Sequence, residues 1–291
     1  MTSKSLHKLK DWLEFSKLKI MIPVSLTGFT GYFSFNPHFS SGIFILTIGI
    51  LFMAVAASVL NQIQEVELDG KMSRTKNRPL PSGRISISYA IIFFLLILIT
   101  GVLLISFAGN LKAAIIAIFT LVWYNGIYTY SKRITAFAVV PGAITGALPP
   151  LIGWVAAGGA VWDKPIVFIE FLFFIGQIPH FWLLILKYGE EYQLAGMPSL
   201  TSVFNRAQIK RLTFTWVVSS VIAALFLCYF EIIKSQIIIG ILVVASLIII
   251  WQFFELLRIT ADKITIKKYS IIFDSYFLLI LLLLISDKII S

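Results

Sequence analysis

Asn61, Glu65 and Asp69 stand four residues apart in NQIQEVELDGKMSRTKNRPL, residues 61–80. At about 100° per helical residue they drift only some 80° around a helix, so the three side chains share one face while Glu67 points elsewhere. Two carboxylates and an amide oxygen are hard donors. They suit Mg²⁺, which takes one or two carboxylates and completes its shell with water and substrate phosphate. Just beyond, Arg74, Lys76 and Arg78 supply cations for the phosphate oxygens that a metal leaves untouched. For those three cations alone, a plain positive loop explains the pattern equally well. The acids resist that explanation, because carboxylates at a membrane edge are costly to hold and usually functional.

The elements that position these residues are membrane helices. Of 291 residues, 58% are hydrophobic and only 13% charged, more apolar surface than a soluble core of this length can hide. Several apolar runs reach the roughly 20 residues that cross about 30 Å of hydrocarbon as helix, and none alternates as a barrel strand does. The expected fold is all-α, a polytopic bundle of nine spans at about 19–36, 42–62, 87–109, 112–130, 137–157, 165–186, 210–230, 235–257 and 268–288. The whole chain, 1–291, reads as one integral-membrane domain. Its two longest connections, 63–86 and 187–209, are where chemistry is expected.

Basic residues set the orientation, since they favour loops on the cytoplasmic side. With the N-terminus inside, only Lys112, Lys164, Lys234 and Lys288 of the 24 lysines and arginines fall outside, and the C-terminus is outside too. The net charge of +10 follows from this topology. Its cations are spread over five inner segments rather than gathered on one folded face, which argues against a nucleic-acid partner. A single cysteine, Cys228 in an apolar run, excludes a disulfide framework and any cysteine-based metal or haem-attachment motif. Residues 1–18 are basic and amphipathic without a cleavage site, and are expected to lie along the inner membrane surface with Trp12, Leu13 and Phe15 toward lipid.

Further residues carry a resemblance. Asn61-x3-Glu65-x3-Asp69-x2-Met72-x-Arg74-Thr75-x2-Arg78-Pro79-Leu80 resembles the first signature of the UbiA prenyltransferase superfamily, and in particular its protoheme IX farnesyltransferases. Downstream come Tyr128-Thr129, Lys132-Arg133-x-Thr135, Gly146-Ala147-x-Pro149-Pro150-Leu151-Ile152-Gly153-Trp154, Pro179-His180-Phe181-Trp182, Glu191-Tyr192 and Ala195-Gly196-x-Pro198, in the family's order across roughly residues 17–199. The resemblance implies nine helices around a cavity, with two cytoplasmic acidic motifs holding Mg²⁺ and farnesyl diphosphate, and protoheme IX accepting the farnesyl group in the cell membrane of a bacterial type. It adds Lys132 and Arg133 to the diphosphate-binding set and Glu191 to the metal set of Asn61, Glu65 and Asp69. Glu65 stands where the superfamily commonly has Asp, and Lys187-Tyr188-Gly189-Glu190-Glu191-Tyr192 likewise has Glu for Asp in the second motif.

These residue types suit the chemistry. An allylic diphosphate ionises when Mg²⁺, Arg and Lys stabilise the leaving group, and apolar walls keep water from the carbocation. His180 is the only histidine within a span, and beside Pro179, which frees a carbonyl one turn earlier, it faces a cavity. Four roles are open to it: hydrogen-bonded packing, haem-iron ligand, propionate partner or stabiliser of the cation. Pro149-Pro150 reads either as a simple kink or as a break that makes room for a bulky acceptor. Trp123, Tyr124, Tyr128 and Tyr130 read as an interfacial belt, and Asp274 needs a partner or cavity that spacing does not identify. A quinone precursor is the rival acceptor. An ion-coupled transporter is the rival class, disfavoured because the acids gather at one membrane face rather than mid-membrane.

Overall fold

The computed structural model describes the backbone of residues 3–258 and 263–290, and the side chains of 9–258 and 265–290. The connection 259–262 and the side chains of Lys4, Lys8 and Lys263, assigned above to the inner side, lie outside the described residues.

The described chain is helical throughout. A surface helix, α1 (Ser3–Phe15), leads into α2 (Leu18–Phe35) and α3 (Ser41–Gln64), followed by the short α4 (Val66–Lys71) and then α5 (Ile87–Ala108). The next span is α6 (Leu111–Val122), a π-helical turn (Trp123–Tyr128) and α7 (Thr129–Ile134). Then come α8 (Val139–Ala156), α9 (Lys164–Leu194), a 3₁₀ turn (Leu200–Ser202), α10 (Arg206–Tyr229), α11 (Gln236–Arg258) and α12 (Lys263–Ile290). Eight of these runs are long and apolar enough to cross a membrane. The expected first span, α2, is not among those eight; it is 18 residues long and packs chiefly along α8 and α3. The outer wall is greasy: Leu96, Leu103, Phe107, Ile237, Leu247 and Trp251 are all more than half exposed, as lipid-facing residues of an integral membrane protein are.

Between apolar helices, packing rests on small residues that let backbones approach. At the α2–α8 contact a Cβ on Gly31 would stand 2.0 Å from the Pro150 carbonyl oxygen, and one on Gly153 would stand 1.9 Å from that of Gly28. Pro149 and Pro150 are therefore buried in this seam, and α8 runs through them unbroken. They shape a packing face and do not open room for an acceptor, because the tight α2 contact takes the space.

Two boundaries differ from the sequence expectation in ways that matter for the site. The second span ends where Glu65 leaves helical geometry (φ −109°, ψ 13°), and α4 restarts after it. The hydrogen bonds from Glu65 N to the Asn61 carbonyl and from Asp69 N to the Glu65 carbonyl, at 3.0 and 2.8 Å, preserve the four-residue stagger across the break. The sixth span runs on to Leu194, so Glu190 and Glu191 ride on the last turns of α9 instead of on a loop. A helix already paired on α8 and α10 gains backbone hydrogen bonds by continuing out of the membrane.

The N-terminal helix also departs from expectation. Phe15 is fully buried and Trp12 packs on Phe93 at 4.9 Å, so both turn into the bundle, while Leu9 and Leu13 stay about half exposed. Gln62 Nε2 donates to the Phe15 carbonyl at 2.8 Å. The Arg84 guanidinium, on the far side of the loop 72–86, pairs with Asp11 and Glu14 of α1 and donates to the Asn77 carbonyl.

Candidate active site

Three connections meet at the end of the bundle beyond α3: the α4–α5 loop, the α7 end and the α9–α10 loop. Met72 packs with Ala195 and Met197, flanked by Leu68 and Tyr192, and so ties the first connection to the third. Ser73 Oγ and Arg74 N both donate to Glu191 Oε2, at 2.9 and 3.3 Å. Gln64 and Asn125 exchange hydrogen bonds at 3.2 and 3.0 Å, and Arg133 donates to the Gln64 carbonyl at 2.8 Å, which ties in the second.

Inside this ring each acid is matched to a cation. Asp69, buried, receives Arg78 Nη1 at 2.7 Å, and its backbone carbonyl accepts from the Thr75 hydroxyl. Glu65 Oε1 lies 2.6 Å from Lys132 Nζ, an ion pair by distance although its angle is not that of a hydrogen bond. Asn61, also buried, donates its amide nitrogen to Thr129 Oγ1 at 3.1 Å. That bond fixes which way the amide faces and, among the described residues, leaves Oδ1 uncommitted. The donor set fits a hard cation: two carboxylates on one stagger plus an oriented amide oxygen. Among the described residues no three His, Cys, Asp or Glu side chains cluster tightly enough to hold one ion, so Glu65, Asp69 and Glu191 do not converge on one point. The Glu191 carboxylate is spent on joining α9 to the loop that carries Arg74.

The expected cations divide similarly. Arg78 and Lys132 point into the cluster, and the Arg74 guanidinium lies 4.9 Å over the Tyr188 ring at its margin. Arg133 is exposed, stacks on Tyr130 at 5.2 Å and caps the end of α3. Lys76 is exposed and is not drawn into the network.

Sequence reasoning missed Lys17. It joins α1 to α2 in the left-handed region (φ 47°) and lies within electrostatic reach of Arg78, Asp69, Lys132 and Glu65. Burial, reinforced by the neighbouring Arg78 and Lys132 cations against the pull of Asp69 and Glu65, pushes its ammonium down to about 7. Tyr124 and Tyr128 were misplaced as belt residues. Their rings lie 5.3 Å apart, Lys132 sits 5.0 Å over Tyr128, and Tyr128 meets Phe181 at 5.8 Å. The π turn explains this: an extra residue in the turn rotates the next helical stretch, a shift invisible to a 3.6-residue period. Asp274 finds its partner in His180, whose Nδ1 lies 2.8 Å from Oδ1. From His180 through Phe181 and Tyr128 to Lys132, ring contacts connect this pair to the acidic cluster.

Comparison with known proteins places this geometry. The model of the UbiA prenyltransferase family matches residues 21–280. Relatives bearing the name protoheme IX farnesyltransferase include those of Oleidesulfovibrio alaskensis, 37% identical over 64% of this chain and 66% of its own, and Geobacter sulfurreducens, 40% identical over 53% and 56%. These two alignments thus span less than two thirds of the relative. That of Nitratidesulfovibrio vulgaris is 31% identical over 75% of this chain and 76% of its own. Among solved structures, one from work on digeranylgeranylglyceryl phosphate synthase superposes with a TM-score of 0.75 over 98% of this chain and 100% of that one, at 24% identity. A UbiA homolog from Archaeoglobus fulgidus bound to GPP and Mg²⁺ superposes with a TM-score of 0.69 over 94% and 99%, at 14% identity. Those likenesses establish the shared fold. The chain belongs to the UbiA prenyltransferase family and, within it, to the protoheme IX farnesyltransferases.

Proposed function

We propose that this protein transfers the farnesyl group of farnesyl diphosphate to a vinyl group of protoheme IX, giving heme O, in a Mg²⁺-dependent reaction. The observation that carries the proposal is the pairing of Glu65 with Lys132 and Asp69 with Arg78 under one ring of loops. Such a site holds both halves of a metal diphosphate, carboxylates for the metal and cations for the phosphate. The relatives' shared name supports the substrates, and the GPP and Mg²⁺ bound by the A. fulgidus homolog support the diphosphate and the metal.

In this reading Asn61, Glu65 and Asp69 hold the Mg²⁺, which when bound neutralises charge on the departing diphosphate. Glu191 belongs to the metal set by resemblance; here it serves chiefly to hold the Arg74 loop against α9. Arg74, Arg78 and Lys132 turn to phosphate oxygens, while Lys76 and Arg133 at the rim draw the anion in. The allylic C–O bond breaks with its electron pair going to the diphosphate. The vinyl π electrons of the acceptor then bond to the freed carbon, and water adds to the resulting cation with loss of a proton. Phe181, Tyr128 and Tyr124 wall the reacting carbon from premature water. The site is one membrane domain, residues 1–291, with 63–86 and 187–209 as its working connections. It opens to the cytoplasm of a bacterial-type cell membrane, the N-terminus inside and the C-terminus outside, because nearly all the basic residues then fall inside.

Purified protein in lipid vesicles, given labelled farnesyl diphosphate, protoheme and a quinone precursor together, should label haem alone. The label should vanish on chelation of Mg²⁺. Label in the quinone precursor would overturn the acceptor.

A further inference from the structure

Eleven residues before Glu191 on α9, His180 meets Asp274 of α12. At 1.5 Å per residue this places the pair about 16 Å along the helix axis from the second acidic segment. The two helices pack closely here: a Cβ on Gly176, one turn before His180, would stand 2.0 Å from the Phe277 ring. Phe277 in turn follows Asp274 by three residues, on the same side of α12.

The pair has a defined chemistry. With Asp274 ionised and the imidazole neutral, Nδ1–H donates to the carboxylate and Nε2 presents a lone pair. Both side chains stay open, 44% and 54% exposed, and among the described residues the hydrogen bond of the imidazole is made through Nδ1, not Nε2. A carboxylate behind one imidazole nitrogen with the other left bare is the arrangement by which proteins orient a metal-ligating histidine and raise its basicity. A propionate anchor is the poorer match, because a histidinium neutralised by Asp274 has little net charge left for a second carboxylate.

Resting on the acceptor assignment above, we propose that His180 Nε2 is the axial ligand of the acceptor's iron and that Asp274 is its positioning residue. The macrocycle then hangs from α9 below the diphosphate cluster, with the line of Phe181 and Tyr128 leading from iron to leaving group. Haem is thereby bound independently of farnesyl diphosphate, and its rotation is limited to the plane that the ligand sets.

Titration of purified protein with haem tests this, read by the Soret band, electron paramagnetic resonance of the ferric form and the iron–histidine stretch of the ferrous form. Wild-type protein should show a histidine-ligated haem. His180→Ala should lose that signature, and added imidazole should restore it, which a misfolded protein would not allow. Asp274→Asn should weaken haem about ten- to hundredfold and lower the iron–histidine stretch while farnesyl diphosphate still binds. An unchanged spectrum in His180→Ala, with haem still bound and farnesylated, would overturn the ligand and leave the acceptor standing. Failure of the wild-type protein to bind haem at all would overturn both.

Discussion

Asp69 is the residue on which the proposed site most depends, since it is buried and bonded to Arg78. Asp69→Asn keeps its shape and removes its charge, so farnesyl transfer should fall below detection while the protein remains folded in the membrane. Arg78→Ala strips a charge-assisted hydrogen bond. Diphosphate binding should weaken by about 1.5–3 kcal/mol, roughly ten- to hundredfold in KM. Lys17 adds a pH dependence. With its ammonium pushed down to about 7, half of it is neutral near neutrality, and an arriving diphosphate restores the charge by drawing a proton. Diphosphate affinity should therefore weaken as pH rises above about 7, by up to tenfold per unit, and Lys17→Arg, which stays charged, should lose that component. A parallel pH profile in the two proteins would remove Lys17 from the site. The acidic stagger was legible because its period is local. Lys17 was not, because only the left-handed turn between α1 and α2 brings it over a loop some sixty residues later.

At the scale of elements, α1 is a strap more than a raft on the lipid. Arg84 reaches from the end of the 72–86 loop to Asp11, Glu14 and the Asn77 carbonyl, and so binds the strap to the segment that bears Arg78. Its side chain is 38% exposed, so its salt bridges contribute at most about 1 kcal/mol. Arg84→Ala should raise KM for farnesyl diphosphate up to about fivefold and hasten proteolysis of α1, with kcat little changed. The α2–α8 seam is stricter. Gly31→Ala puts a methyl into the Pro150 carbonyl, and overpacking of that kind should cost about 1–3 kcal/mol, seen as a lower Tm in detergent. The helices themselves were legible from hydropathy, most of their boundaries to within a few residues. Their irregularities were not: the break at Glu65, the π turn at Trp123–Tyr128 and the run of α9 to Leu194 answer to partners in other helices, which a single stretch of sequence does not contain.

For the whole molecule, the site exists only if alternate connections gather at one end. Cysteines placed in the Arg74 loop and at Gly196 should label from the same, cytoplasmic side. Labelling from opposite sides would contradict the shared site that Met72, Ala195 and Met197 close. The asymmetry of basic residues made this end visible from sequence, and the resemblance in PPLIGW and PHFW pointed to the acceptor. The Asp274–His180 contact joins residues 94 apart and could come only from the assembled bundle. The most direct test is mass spectrometry of haem extracted from membranes of cells that otherwise make no heme O, with and without this protein. Its presence should yield a haem heavier than protoheme by one farnesyl group and one hydroxyl, and the Asp69→Asn form should yield protoheme alone; protoheme alone from cells making the intact, folded protein would contradict the farnesyl transfer assigned to it.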